Sequence, residues 1–125
     1  MLQQEHRLKH DRDFDTLWKD GRFVGGNFLT LKYWKIDPAR YPRRAYAPSD
    51  LRIGFVVSTK VSKRAVERNR VKRQMREVIR LLLKQGTIHT GYLIACIAKP
   101  AIIGKTYGEI EKEIIMVLTR GALLK

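Results

Sequence analysis

A basic segment from Ser62 to Gln85 constrains the fold of this chain more than any other feature. Its apolar residues recur at the spacing of one helical face, and they are Val71, Met75, Val78, Ile79 and Leu82. Gly86 then ends the predicted helix. Strand-like apolar runs lie on both sides, LRIGFVVS before the helix and YLIACIA after it. We therefore expect a helical crossover that joins two strands of one sheet and packs its apolar stripe against the core.

A short helix is predicted near the start of the chain, in the segment DRDFDTLWKDG. Asp11 can cap its first turn, and Gly21 stops it. Phe14, Leu17 and Trp18 are spaced at i, i+3 and i+4, so they share one face of the helix. Aromatic residues at this spacing often belong to a core. The residues alone leave open whether Phe14 and Trp18 pack inside the protein or contact a ligand.

The segment NFLTLKYWKI alternates as a half-buried strand does. Leu29, Leu31 and Tyr33 are predicted on one face of this strand, and Phe28, Thr30 and Lys32 on the other.

A last helix is predicted to begin at a capping box formed by Thr106 and Glu109. Its inward residues are Ile110, Ile114, Val117 and Leu118.

The element order is then α-β-β-β-α-β-α, which indicates an α+β fold, a two-layer α/β sandwich. Residues 1–125 are expected to form a single domain, because a chain of this length has too little surface to bury a second core. The proline-containing segment 37–50 is expected to be a flexible loop.

The charge of the chain points to a polyanionic partner. Lys and Arg outnumber Asp and Glu by 26 to 12, which gives a formal net charge of +14. An excess of one sign disfavours the compact state unless an opposite charge neutralises it. Between Lys60 and Lys84, ten Lys or Arg accompany two Glu, and few i,i+4 pairs such as Arg73–Glu77 can balance them. We expect a nucleic-acid backbone, with an anionic membrane surface or a plain solvated face as alternatives.

The first turn of the basic helix also favours an anion. Lys63 and Arg64 lie where the helix dipole would favour acids. Cations beside unpaired N–H groups suit a phosphate. Asn69 lies between two arginines, where it could read a base edge or a 2′-hydroxyl, or be an ordinary surface residue.

The sequence predicts no catalytic centre in the protein itself. The three histidines, His6, His10 and His89, are scattered, and the i,i+4 pair His6 and His10 lacks a third metal ligand nearby in the sequence. The acids of the first helix suit the start of a helix better than a metal site, and they are Asp11, Asp13 and Asp15. Phosphate-binding glycine loops and nucleophile motifs are not recognisable.

The expected compartment is the cytoplasm. Cys96 is the only cysteine, so an internal disulfide is impossible and a reducing compartment is favoured. The polar start MLQQEHRLKHDRD predicts no signal peptide. No apolar run approaches the ~20 residues of a membrane span, so no membrane association is expected.

At the centre of the basic segment, RNRVKRQMRE follows RIGFVVSTKVSKRAVE. This stretch closely resembles the arginine-asparagine-arginine signature of the protein subunit of bacterial ribonuclease P. The resemblance extends to RLKHDRDFDTLWKDGR upstream and GYLIACIAKPA downstream, from Arg7 to about Leu118. It implies a four-stranded mixed sheet with a left-handed β-α-β crossover through the basic helix. It also implies a protein that assists a catalytic RNA in removing the 5′ leader of precursor tRNA.

The resemblance assigns roles to individual positions. Residues expected to bind the catalytic RNA are Lys63, Arg64, Arg68, Asn69, Arg70, Lys72, Arg73 and Arg76. Residues expected to bind the precursor-tRNA leader are Phe14, Trp18, Phe28, Thr30, Lys32, Ser58 and Lys60. Two positions depart from the family pattern: Thr59 replaces a usual lysine, and Lys32 stands where an aromatic residue can occur.

The implied chemistry lies in the RNA, with Mg²⁺ held mainly by the RNA subunit and no organic cofactor. The free protein is expected to be a monomer. Two alternatives of other classes are a structural RNA-binding protein of ribosomal type and a self-sufficient nuclease. Cleavage of precursor tRNA with and without the catalytic RNA distinguishes all three.

Overall fold

The structure, a computed structural model, describes residues 6–8, 11–44 and 46–125. Its helices and strands are α1 (Asp11–Asp20), β1 (Arg22–Gly25), β2 (Leu29–Lys35), β3 (Leu51–Val56), α2 (Ala65–Lys84), β4 (Tyr92–Ala98) and α3 (Tyr107–Arg120). Short 3-10 helices lie at Pro42–Arg44 and Pro100–Ile102. The predicted order α-β-β-β-α-β-α is confirmed.

The strands form one mixed sheet in the order β1-β2-β4-β3. β2 pairs antiparallel with both β1 and β4, whereas β3 and β4 run parallel and are joined through α2. Cys96 lies at the middle of the sheet, opposite Leu31 of β2 and Phe55 of β3. Its thiol is fully buried, and that burial raises its pKa to about 12. A helical connection between two parallel strands and a mixed four-stranded sheet are as expected, and the left hand of the crossover stays a prediction.

Both faces of the sheet carry helices. α2 and α3 pack against one face and enclose the main core, to which Leu29, Leu31, Ile53 and Cys96 contribute. α1 packs on the opposite face, over β2 and β4, with a smaller core that includes Leu17. The sheet and the helices α2 and α3 form the two predicted layers. Helix α1 adds a third, partial layer on the other face of the sheet.

The apolar stripe of α2 holds that helix against the sheet. Val71, Met75, Val78 and Ile79 are buried, as predicted, while Leu82 is half-buried at the edge of the core. Full burial of one such side chain stabilises the fold by roughly 1.5–3 kcal/mol. The orientation of α2 is thereby fixed, and its basic residues are directed away from the core.

The start of α3 has the predicted capping box. Glu109 N donates to Thr106 Oγ1 at 3.2 Å, and Thr106 N donates to Glu109 Oε1 at 3.0 Å. The bond from the Thr106 backbone lowers the pKa of the Glu109 carboxyl. The predicted inward residues are all fully buried, namely Ile110, Ile114, Val117 and Leu118.

A buried acid attaches α1 to the rest of the molecule. Asp13 is fully buried, and it accepts hydrogen bonds from Tyr46 Oη at 2.5 Å and Arg52 Nη1 at 3.3 Å. Its role therefore extends beyond the helix-start acid expected from the sequence. Tyr41 donates a hydrogen bond to Asp20, which lowers the pKa of that carboxyl. The segment 37–50 is thus anchored to α1 at two tyrosines, and its flexibility remains a prediction.

Among the described residues, no helix is long and apolar enough to cross a membrane.

Candidate nucleic-acid interface

The basic residues of α2 and its approach form the first candidate surface, called here the basic surface. Its members lie outside the buried stripe of the helix, and they are Lys63, Arg64, Arg68, Asn69, Arg70, Lys72, Arg73 and Arg76. Arg68, Lys72 and Arg76 are half-buried, and the other members are exposed. Seven cations and one amide on α2 and the two residues before it are therefore accessible to a ligand, while the buried stripe holds the helix against the core.

The start of α2 is organised by Ser62. Its hydroxyl accepts from Arg64 N at 3.1 Å and donates to Glu67 Oε1 at 2.7 Å. Arg68 Nη1 donates to the Ser62 carbonyl at 2.9 Å, so this guanidinium is partly committed to the fold. Arg64 occupies the N-cap position without a side-chain capping bond. A helix start of this kind, lined by Arg64 and Lys63, leaves its N–H groups available to an anion.

One ion pair on α2 differs from the pair expected from the sequence. Glu77 receives hydrogen bonds from Arg80, at 2.6 and 3.0 Å, rather than pairing with Arg73. The Arg80 side chain lowers the pKa of the Glu77 carboxyl. An i,i+3 contact draws the acid toward the C-terminal half of α2, away from the basic surface. Arg73 remains exposed.

The second candidate surface is a cleft between α1 and the sheet. One row of residues crosses three strands beneath α1, from Lys32 through Ala95 to Gly54. A Cβ added at Gly54 would come within 2.8 Å of Phe14 Cζ, so the missing side chain makes room for that ring. Lys32 Nζ lies 5.1 Å from the centroid of the Trp18 ring. Small residues in the sheet thus allow the aromatic residues of α1 to approach it closely.

The two aromatic residues of α1 differ in exposure. Phe14 is half-buried and packs against the smaller core, while Trp18 is 43% exposed. Their ring centroids are 6.2 Å apart, with 35° between the ring planes. Trp18 therefore has a large free surface next to a cation, which suits stacking on an unpaired base.

A neighbouring row forms the open floor of the cleft. It runs from Thr30 through Ile97 to Val56, in register across β2, β4 and β3. All three residues are half-buried, although they lie on strands whose opposite face is a closed core. Strand alternation places this row on the α1 side, since Ile97 packs with the smaller core. Thr30 was predicted from the sequence, whereas Ile97 and Val56 were not.

Ser58 and Lys60 connect the two surfaces. Both are exposed, and they follow the end of β3 in a turn closed by Val61 N donating to Ser58 O at 3.0 Å. Basic surface residues begin three positions after Lys60, at Lys63. The cleft and the basic surface are therefore joined through one short segment of chain.

Phe28 does not lie in the cleft, contrary to the sequence-based expectation. It is 7% exposed and packs in the main core, at a bend that precedes β2. The buried carboxylate of Glu113 accepts from Phe28 N at 2.6 Å and from Leu29 N at 3.2 Å. This bend breaks the strand alternation, and Phe28 is thereby turned to the face opposite Thr30 and Lys32. Lys105 Nζ lies 5.3 Å from its ring centroid.

The described residues contain no group of three or more His, Cys, Asp or Glu side chains arranged to hold a metal ion. His6 Nδ1 lies 3.0 Å from the Leu51 carbonyl oxygen, and His10 falls outside the described part of the chain. Asp13 is engaged by Tyr46 and a guanidinium. The surfaces described above have the chemistry of RNA binding, with cations for phosphates and an exposed indole for a base.

The sequence profile of the Ribonuclease P family matches residues 2–121. The chain belongs to the Ribonuclease P family. A relative from Microcystis aeruginosa, named ribonuclease P protein component, is 37% identical over 123 residues, which cover 98% of this chain and 96% of the relative.

Solved structures of ribonuclease P proteins have the same fold. The Staphylococcus aureus protein superimposes with a TM-score of 0.78 at 23% identity, covering 96% of this chain and 98% of that one. The Thermotoga maritima protein gives 0.71 at 24% identity, with coverage of 91% and 96%. At these identities the likeness establishes the α+β architecture.

Proposed function

We propose that this chain is the protein subunit of a ribonuclease P, which binds the catalytic RNA and the 5′ leader of precursor tRNA. Membership of the family supports the assembly with RNA. The observation that carries the assignment of surfaces is their continuity, from the cleft past Ser58 and Lys60 to the start of α2. A substrate strand in the cleft would thus be held next to an RNA bound on the basic surface.

The basic surface suits the catalytic RNA because most of its side chains are cations, which bind the phosphates of an RNA backbone. Seven cations on α2 and the two residues before it release counterions when they meet phosphates, and this term is a large part of the affinity of proteins for nucleic acids. Asn69 is exposed between Arg68 and Arg70, where it can contact a 2′-hydroxyl or a base edge. Burial of the apolar stripe fixes the helix that carries these groups before the RNA arrives.

The cleft suits a single-stranded leader of variable sequence. Trp18 offers a ring face, Lys32 a charge, and the row Thr30, Ile97 and Val56 a half-apolar floor. Stacking and backbone charge hold unpaired RNA with little dependence on base identity. A processing subunit that meets many leader sequences needs this tolerance.

In this proposal the chain's residues bind and orient, and the hydrolysis of the phosphodiester bond is assigned to the RNA subunit. Mg²⁺ would be held mainly by that RNA, where it would activate the attacking water and stabilise the leaving oxygen. The protein would increase the local concentration of substrate and reduce repulsion between two polyanions. We infer a cytoplasmic location and a monomeric free protein.

The test is cleavage of precursor tRNA at low Mg²⁺, with the protein and the cognate catalytic RNA added separately and together. Cleavage that needs both components at low Mg²⁺ is the expected result. Cleavage by the protein alone would instead identify a self-sufficient nuclease. Absence of any stimulation, despite binding to the RNA, would favour a structural RNA-binding protein.

A further inference from the structure

β1 is an edge strand that exposes a large aromatic side chain. Within the described part of the chain it pairs only with β2, and Phe23 in this strand is 70% exposed. An apolar residue on an unpaired edge favours unwanted strand pairing, and edges are usually protected by charge, proline or a covering element. Phe23 therefore calls for a functional explanation.

The register places Phe23 on the cleft side of the sheet. Phe23 lies opposite Lys32 in the antiparallel pair, and residues directly opposite one another project from the same face. Its neighbour Val24 packs against the main core on the other face, as alternation requires. The row that begins at Gly54 and Ala95 thus continues past Lys32 to Phe23.

Lys32 then neighbours two exposed aromatic residues. Its ammonium is 5.1 Å from the Trp18 ring centroid, and Phe23 is its cross-strand partner on β1. An exposed ring, a cation and a second exposed ring in sequence form the pattern expected for a strand of stacked bases with a charged backbone.

The strand that carries Phe23 is held firmly. Gly26 N donates to Leu29 O at 2.8 Å, and Lys99 Nζ donates to the Gly26 carbonyl at 2.9 Å. Arg120 Nη1 donates to the carbonyl of Gly25 at 3.3 Å. The turn after β1 is thereby tied to α3 and to the residue that follows β4, so the position of Phe23 is set before any ligand binds.

We propose that Phe23 is an outer stacking platform for a base of the precursor-tRNA leader, beyond the base that stacks on Trp18. This inference rests on the proposed function, and it extends the cleft by one strand. Phe23 lies across the sheet from the Ser58 and Lys60 end. Three strand spacings of ~4.8 Å separate β1 from β3, so a leader has to extend roughly 14 Å across the sheet to reach it. Short leaders would stop before Phe23.

The experiment measures the affinity of the assembled RNA–protein complex for precursor tRNAs whose leaders increase one nucleotide at a time. Wild-type affinity should rise with leader length in steps. Phe23→Ala should remove only the step contributed by the outermost contacted base, about five- to tenfold, at the lower end of what one stacked base provides. Shorter leaders should bind wild type and variant equally.

Matched variants separate stacking from other effects. Phe23→Trp should retain the step because it keeps a ring face, and Phe23→Leu should lose it although it remains apolar. Ile115→Ala removes an exposed apolar side chain from α3 and should change no step. Melting temperatures should stay close to wild type for Phe23→Ala, since its side chain is mostly exposed.

The outcomes are distinguishable. Equal loss for every leader length, or an unchanged step in Phe23→Ala, would overturn the assignment of Phe23 while the wild-type length dependence still supported the cleft. A wild-type complex without any length dependence would contradict the proposed cleft itself. Loss of self-association in Phe23→Ala with unchanged leader binding would assign this edge to a protein contact and reject the RNA platform.

Discussion

The two faces of the sheet use the same strands for different purposes. On the α2–α3 face, Leu29 and Leu31 of β2 are fully buried in the main core. On the α1 face, Thr30 and Lys32 of the same strand remain half-buried. One face is closed by two helices with continuous apolar stripes, and the other by a single short helix. The closed face supplies stability, which allows the other face to remain partly uncovered for a ligand.

The difference can be traced to side-chain size and charge. The α1 face has Gly54 and Ala95 where the other face has Ile53 and Ile94 on the same two strands. Small residues bring the aromatic rings of α1 close to the sheet but leave little apolar area to bury there. The buried bonds of Asp13 to Tyr46 and Arg52 fix α1 by polar contacts instead.

The largest expected effect belongs to the closed face. Ile79→Ala removes a fully buried side chain from the stripe of α2 and should reduce the free energy of unfolding by ~2–5 kcal/mol. Urea denaturation measures this loss. Under conditions where the variant remains folded, its affinity for the catalytic RNA should equal that of wild type. A selective loss of RNA affinity in folded protein would contradict a purely structural role.

A smaller effect is expected where α1 meets the sheet. Gly54→Ala would place a Cβ 2.8 Å from Phe14 Cζ and 3.1 Å from Leu8 Cβ, and overpacking of this kind costs about 1–3 kcal/mol. Precursor-tRNA binding should weaken as well, because the ring of Phe14 is displaced. Gly25→Ala is the control, since nothing lies within 4 Å of its added Cβ. The double variant Gly54→Ala with Phe14→Leu should recover stability without recovering leader affinity.

Replacement of Trp18 should reduce the affinity for precursor tRNA more than it reduces the stability of the fold. Trp18→Ala is expected to weaken precursor-tRNA binding by ~1–3 kcal/mol, the contribution of one stacked base. Mature tRNA lacks a leader, so its affinity should hardly change, and Trp18→Phe should keep most of the wild-type preference. At 43% exposure the side chain contributes less to the fold than a core aromatic residue. A large fall in melting temperature with equal loss for both tRNAs would place Trp18 in the core instead.

The sequence predicted the closed face more fully than the open one. The stripe of α2 and the capping box of α3 are local patterns, and the structure has both. β1 has four residues and ends in glycine, so it is too short for an alternating pattern to be recognised in the sequence. Phe28 was placed on the wrong face because Glu113, 85 positions away, holds the bend before β2. Local patterns identify the buried faces of regular elements, and contacts distant in sequence decide where the alternation of a strand begins and how far a side chain is covered.

Gly54 is a signal, readable in the sequence, of the close approach between α1 and the sheet. A glycine inside an apolar strand often marks a close approach of another element, and here that element is the ring of Phe14. The same reasoning could not have found Ile97 or Val56. Both lie in apolar runs typical of buried strands, and their partial exposure follows from the short length of α1, which covers only part of the face.

The smallest change in the free protein is expected on the basic surface. Arg70 is exposed and lies beyond the apolar stripe, so Arg70→Ala should leave the melting temperature unchanged. Arg68→Ala removes the 2.9 Å bond to the Ser62 carbonyl as well, and should lower it measurably. The melting temperatures of the two variants distinguish a residue that only contacts RNA from one that also stabilises the start of α2.

The salt dependence of RNA affinity gives the decisive measurement for Arg70. Each phosphate contact contributes a log–log slope of roughly 0.7–0.9, so losing one should flatten the slope by about that amount. Lys112→Ala removes an exposed cation from α3, on another part of the surface, and should leave the slope unchanged. If both variants flatten the slope equally, the whole positive field attracts the RNA and α2 has no special contact with it. A flatter slope in Arg70→Ala but not in Lys112→Ala would show that Arg70 contacts a phosphate of the RNA, on a helix that the closed face of the sheet holds in place.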